Sequence, residues 1–240
     1  MLFSLPIAVL SQDDWIGIAG QGNTLYEQGD YPGAINRYEL LATAGVRDGA
    51  IYFNLGNAYF EAQNLGKALL NYRRAQKLIP RDPELSINMA RVRAERVDIQ
   101  GDETTLVDSL TSLSSGVMTT DELSWLTLFL WTLFFGILAV WDMRVSWRDI
   151  SRVPLIAVGI LLASAMVLLG SRLFVESNRP AALMISDTSV MSGPGEAYLE
   201  IYRLYSAAEL RVLEQRGDWV RFILPDQRQG WIPRSTIEIV

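Results

Sequence analysis

The chain has 240 residues, 27 acidic against 21 basic for a formal net charge of −6, and contains neither cysteine nor histidine. That removes Cys-His and Ser-His-Asp nucleophiles, thiolate redox chemistry and nearly all zinc, copper and haem sites. The part through Glu122 holds ten basic and sixteen acidic residues and the part from Pro180 holds six and eight, so neither carries the basic surface that nucleic-acid affinity requires. The length allows two small soluble modules beside a membrane segment. Oxygen-ligated Ca²⁺ or Mg²⁺ is chemically open, but no calcium-loop spacing and no GxxxxGK(S/T) phosphate loop occurs. No cofactor, no metal and no nucleic acid is expected, and the chain reads as non-enzymatic.

Residues 1–12 open with MLFSLPIAVL, an apolar run ahead of a polar SQDD. This has the form of the apolar core and end of a secretory signal shortened at its start, without the usual positive leader. The other reading is an apolar tail packed on the first helix.

A repeat of 34 residues follows in 13–97. It places Gly22 on Gly56, Asn23 on Asn57, Ala34 on Ala68 and Tyr38 on Tyr72. Each unit reads as two helices joined by a short turn, with Asp30 and Asn64 suited to N-cap the second helix. Gly56 and Ala68 let helix axes approach, while Tyr59 and Tyr72 fill the space beside them. Pro80 ends the second unit, and Asp82-Pro83 starts a capping helix that runs to about Val97.

The series Tyr52-x-x-Leu55-Gly56-x-x-Tyr59, Ala68, Tyr72, Ala75 and Pro80 resembles the tetratricopeptide repeat, over 49–82 and more distantly over 15–48, where Ile18, Gln21 and Val46 depart from it. The resemblance implies a protein- or peptide-binding helical stack. Its groove would carry Ala19, Asn23 and Tyr26, then Phe53, Asn54, Asn57 and Phe60. Asparagines in such a groove hydrogen-bond an extended backbone; the alternative is that they only cap or pack between helices. Asn23 and Asn54 match asparagines of the carboxylate-clamp subclass, whereas Ala19, Glu84 and Asn88 stand where that clamp needs Lys or Arg.

Residues 98–122 form a Ser-, Thr-, Asp- and Gly-rich linker. Leu106, Leu110, Leu113 and Val117 recur there at helical spacing, either as a surface-lying amphipathic helix or as ordinary packing. Thr119-x-x-Glu122 is a capping-box pattern at the start of the next helix. Leu123 to Trp141 and Val153 to Ser171 are each nineteen residues without a charge. At about 1.5 Å per residue each makes a helix of roughly 28 Å, close to the ~30 Å of a bilayer core. Two transmembrane helices are therefore expected, over 123–143 and 153–173. The loop 144–152 carries Arg144, Arg148 and Arg152, against no basic residue just before the first span and two, Arg172 and Arg179, after the second. That asymmetry puts the loop in the cytoplasm and both termini on the other face.

From 180 to 240 the texture turns to short β-branched and aromatic runs, LMIS, LRVLE, WVRFIL, GWIP and IEIV, separated by SGPG, RGD and LPDQRQG. About five short strands imply a small closed all-β barrel. The order Val190-Met191-Ser192-Gly193-Pro194, Gly217-Asp218-Trp219-Val220 and Gly230-Trp231-Ile232-Pro233 resembles a bacterial SH3-like domain, with Met191 at a position where that family often has Arg. The resemblance implies binding of peptides or cell-wall material, for which Tyr198, Tyr202, Trp219 and Trp231 are the aromatic candidates. For the two tryptophans a core position is the competing reading.

The whole order of modules resembles the BatE type of aerotolerance-operon protein. This resemblance implies a bacterial inner-membrane protein in a complex with von Willebrand A-type membrane proteins. The expected function is a membrane scaffold displaying a helical repeat and an SH3-like barrel on the periplasmic side. The alternative is an envelope sensor whose barrel binds peptidoglycan.

Overall fold

A computed structural model describes residues 12–97, 118–143, 148–178 and 180–240. The N-terminal apolar segment, the linker's amphipathic run and the start of the arginine loop lie outside these residues. The chain divides into two compact units, one formed by the residues up to 103 together with 180–240, the other by 104–179.

Among the described residues of the first unit five helices follow one another: α1 (Gln12–Glu27), α2 (Tyr31–Thr43), α3 (Gly49–Glu61), α4 (Leu65–Leu78) and α5 (Pro83–Glu95). Their starts are set by side chains that accept from N–H groups the helix itself cannot pair. Asp30 Oδ1 takes Gly33 N at 3.0 Å, Asn64 Oδ1 takes Lys67 N at 3.1 Å, and Asp82 Oδ1 takes Glu84 N at 2.9 Å. The turn inside each pair uses the same left-handed residue 34 apart, Gly29 at φ 78° and Gln63 at φ 58°. The close approach inferred from the glycines is real in both units. A methyl group on Gly22 would strike the Tyr38 ring, and one on Gly56 the Tyr72 ring. Ala34, Leu41, Leu55, Ala68, Leu69 and Tyr72 lie within one continuous core.

The same unit holds seven strands: β1 (Ala181–Met184), β2 (Thr188–Met191), β3 (Glu200–Leu204), β4 (Glu209–Arg216), β5 (Trp219–Ile223), β6 (Gln229–Pro233) and β7 (Ile237–Ile239). The five apolar runs read from sequence are β1, β4, β5, β6 and β7; β2 and β3 are additional. Gly217, at φ 57°, turns β4 into β5 through a two-residue hairpin. All pairings are antiparallel, in the order β3-β2-β6-β5-β4-β1-β7. The sheet is not closed, which corrects the expected barrel. Its edges β3 and β7 do not pair with each other: β7 is three residues long and, among the described residues, pairs with β1 alone. β2 meets β6 through the single pair Met191–Trp231. The sheet instead curls round one core, with Met184, Val190, Leu204, Phe222 and Ile232 fully buried inside it.

The helical stack and the sheet, read in sequence as separate modules, pack directly on each other. β1 crosses α4 at Gly66, where any side chain would run into the Met184 carbonyl and the Ile185 backbone. Leu183 and Ala207 from the sheet join the core of the stack. Glu209, at the start of β4, is gripped by three arginines of the stack. Arg73 Nε donates to it at 3.2 Å and Arg93 Nε at 2.9 Å, while Arg96 Nη1 stands 3.5 Å away. Burial would raise the Glu209 pKa, but the hydrogen bond from Arg93 and the charges of Arg73 and Arg93 prevail and bring it down to about 2. Arg74 adds a bond of 3.0 Å to Glu238 on β7.

Among the described residues the second unit contains two helices, α6 (Thr120–Met143) and α7 (Arg148–Asn178). The capping box forms as its pattern implies: Thr119 N donates to Glu122 Oε2 at 2.9 Å and Glu122 N to Thr119 Oγ1 at 3.1 Å. Two stretches of 24 residues, Thr120–Met143 and Arg152–Val175, are long and apolar enough to cross a membrane. In an 18-residue window of each, only 11 % is buried. The core helix of a soluble protein would be mostly buried, and neither window lies near the N-terminus as a signal sequence would. The two helices meet at Leu130, Leu162 and Ala165. Arg172, beyond the uncharged stretch, is 5 % exposed and donates to the Met118 carbonyl at 2.9 Å, which gives its guanidinium a polar partner at the mouth of the pair.

Candidate functional site

The first helix of each unit, α1 and α3, presents an asparagine one turn before its end, and each asparagine is held in the same way. The Tyr38 hydroxyl donates to Asn23 Oδ1 at 2.7 Å, and Asn54 Nδ2 donates to the same oxygen at 3.2 Å. One repeat later, the Tyr72 hydroxyl donates to Asn57 Oδ1 at 2.6 Å and Asn88 Nδ2 donates to it at 3.0 Å. All three partners shift by 34, so the arrangement is a ladder whose rungs join α1 to α3 and α3 to α5. With both Oδ1 lone pairs engaged, the Nδ2 groups of Asn23 and Asn57 are left as donors. Burial pushes the Tyr38 hydroxyl up to about 12 and raises Tyr72 as well, so both remain protonated donors at any working pH.

The ladder lines two adjoining hollows that share Tyr26 and Asn57. One has a volume of about 220 Å³ and is bounded by Asn23, Glu27, Tyr38 and Asn54. The other has a volume of about 100 Å³ and is bounded by Phe60, Glu61, Tyr72, Asn88 and Arg91. Together they make one trough across α1, α3 and α5, with an amide floor, aromatic walls and charged groups at its rim. Tyr26 stands edge-on to Tyr31 at 5.4 Å, and its hydroxyl is raised by burial and then by Glu61. Arg91 lies over the Phe60 ring at 5.9 Å.

Of the groove residues expected from sequence, Asn23, Tyr26, Asn54, Asn57 and Phe60 line this trough. Phe53 does not; it is half-buried, with its ring 5.9 Å from that of Tyr72. Ala19 packs against the core. Glu27, Tyr38, Glu61, Tyr72 and Arg91 line it as well, beyond the sequence expectation, and so does Asn88, which stands at a clamp position. The signal for several was present, because one further shift of 34 carries Asn54 to Asn88 and Asn57 to Arg91.

The aromatic candidates of the sheet are divided between its two faces. Tyr202 pairs with Val190 and points toward the core, under the Arg228 guanidinium at 5.2 Å. Trp219 and Trp231 share the outer face, as their register beside the core pair Val220–Ile232 requires. Trp219 is half-buried, whereas Trp231 is 7 % exposed beneath the Arg216 guanidinium at 5.3 Å. Tyr198 is 51 % exposed and lies over Gly193 in the loop before β3. Among the described residues no three acidic side chains gather as a metal site would require.

Residues 20–83 match the model of one protein family, the tetratricopeptide repeat. The match runs from α1 through the start of α5 and takes in both asparagine–tyrosine rungs. The same comparison made with curated proteins finds no match to the chain. The repeat family is one of protein–protein interaction and is generally without catalysis.

Proposed function

We propose that this protein is a non-enzymatic membrane scaffold that holds an extended segment of a partner protein in the trough of its tetratricopeptide stack. The observation that carries the reading is the asparagine ladder. Tyrosine hydroxyls and neighbouring amides occupy the Oδ1 atoms of Asn23 and Asn57, which leaves their Nδ2 donors for an incoming backbone.

Placement in the membrane follows from two supports. The stack precedes the hairpin in sequence and the sheet follows it, yet they pack into one unit, which requires an even number of crossings between them. The arginines of the loop favour a cytoplasmic position for it, with the stack and the sheet on the periplasmic face of a bacterial inner membrane. The module order is the basis for naming von Willebrand A-type membrane proteins as the partner class, and for the resemblance to BatE-type proteins. With Trp231 covered, contact of the SH3-like sheet with cell wall falls mainly to Tyr198 and Trp219.

Photo-cross-linking groups placed at Asn54 and Phe60, and at Leu78 outside the trough, test the reading in native membranes. The expected result is one discrete protein adduct from the two trough positions and none from Leu78. No adduct from the trough, or the same adduct from all three, overturns it.

A further inference from the structure

The rim of the trough is charged in a repeating pattern that breaks once. Glu27 and Glu61 occupy equivalent places 34 residues apart, and each borders one of the two hollows. Glu95 follows in the third unit but borders neither. At the ladder position itself the series is Asn23, Asn57 and then Arg91. The exchange has a counterpart in the sequence: the first two residues accept from Tyr38 and Tyr72 on the second helix of their units, and 34 residues past Tyr72 the sequence has Leu106. The repeat thus has no tyrosine at the position that calls for an acceptor, and a charged residue stands at the ladder position instead. Arg91 rests on the Phe60 ring, and among the described residues no carboxylate comes within ion-pair distance of it.

We infer that the trough selects an extended peptide bearing two basic side chains followed by an acidic one, the bases meeting Glu27 and Glu61 and the acid meeting Arg91. This rests on the peptide-binding reading above and adds the partner's charge pattern to it. The order of charges follows the hollows: Glu27 borders one, and Glu61 and Arg91 border the other. A polyproline-type strand returns to the same face every three residues, about 9.3 Å along its axis, so a segment of the form base-x-x-base-x-x-acid offers the three charges in that order. Asn88, beside Arg91, has a second Nδ2 hydrogen available to the carboxylate, and Tyr26 supplies an apolar wall between the two acidic sites.

The test uses the full chain in detergent micelles and three fluorescent seven-residue peptides, acetylated and amidated so that only side chains are charged. They are Lys-Ala-Ala-Lys-Ala-Ala-Asp, its charge-reversed form with Asp, Asp and Lys, and a form with Gln at all three positions. Fluorescence anisotropy should show the first binding about tenfold or more tighter than the second, because three exposed pairs change sign. The ratio should fall toward one in 0.5 M salt. The double variant Glu61→Lys/Arg91→Glu keeps the net charge and should narrow or invert the preference, with unchanged helical circular dichroism as the check on folding. Equal binding of the three peptides overturns the charge pattern and leaves the peptide-binding reading standing. Failure of all three to bind overturns both.

Discussion

Replacing Glu209 by Gln keeps the shape of the side chain and removes the charge that joins sheet to stack. Holding this carboxyl at about 2, against 4.5 in the unfolded chain, corresponds to about 3 kcal/mol of preference for the ionised, folded form. The group is largely buried, its side chain 20 % exposed, so solvent screening removes little of this. The sign follows from a depressed pKa. The contribution is complete above the unfolded value of 4.5, and it is lost as pH falls from there toward about 2. In urea, with a slope of about 2 kcal/mol per molar for a soluble unit of this size, the midpoint of the Gln variant at pH 7 should lie roughly 1.5 M below wild type. Tryptophan fluorescence of the full chain in micelles reads the transition, since Trp219 and Trp231 sit in the sheet and Trp15 in the stack. The gap between the two proteins should shrink by more than half by pH 3, because wild type is then losing what the variant never had. Midpoints within 0.3 M of each other at pH 7, or a gap that stays constant down to pH 3, would refute the reasoning.

Three further outcomes are expected. Gln63→Gly should stabilise the stack by about 0.5–1 kcal/mol, because glycine adopts the φ of 58° without strain, as Gly29 does in the preceding unit; chemical denaturation measures it. Gly66→Ala should destabilise by about 1–3 kcal/mol through the backbone of β1 and raise protease sensitivity where stack meets sheet, while an unchanged digestion pattern would contradict the contact. Thr119→Ala should cost about 1 kcal/mol at the start of α6, read as faster amide exchange at Glu122, whose N–H loses its acceptor.

Much of the helical part is legible from the chain because its determinants are local and recur. The shift of 34 pairs Gly22 with Gly56 and Tyr38 with Tyr72, and those pairs are the contacts that let the helices approach. Asp30 and Asn64 cap the helices for which their side chains suit them, and Thr119 with Glu122 closes its box across three residues. The asparagines at 23, 54 and 57 could be assigned to the trough on the same grounds. What the repeat did not reveal was that the tyrosine hydroxyls, regarded as space-fillers, fix the asparagines' orientation. A residue type shows that a donor exists, but not which acceptor it reaches.

The sheet is less legible. Its β-branched runs identify five strands, but β2 and β3 carry weak patterns, and closure depends on whether edges far apart in sequence meet. Here they do not. The junction of sheet and stack is less legible still: Glu209 lies 136 residues from Arg73 and 116 from Arg93, with the whole hairpin between them. No periodicity spans that distance, and a glutamate at the head of a strand looks like any solvated charge.

The amino-acid order was thus sufficient for whatever rests on neighbours one turn or one repeat apart: two apolar helices, a helical stack with an amide-lined face, and a run of short strands. Packing alone determined that the strands form an open sheet and that this sheet seals the stack through Gly66 and Glu209. The difference has one physical cause. Helix periods, caps and hydropathy are properties of adjacent residues, whereas edge pairing, burial of a carboxylate among three arginines and the charge lining a trough exist only once distant segments have met.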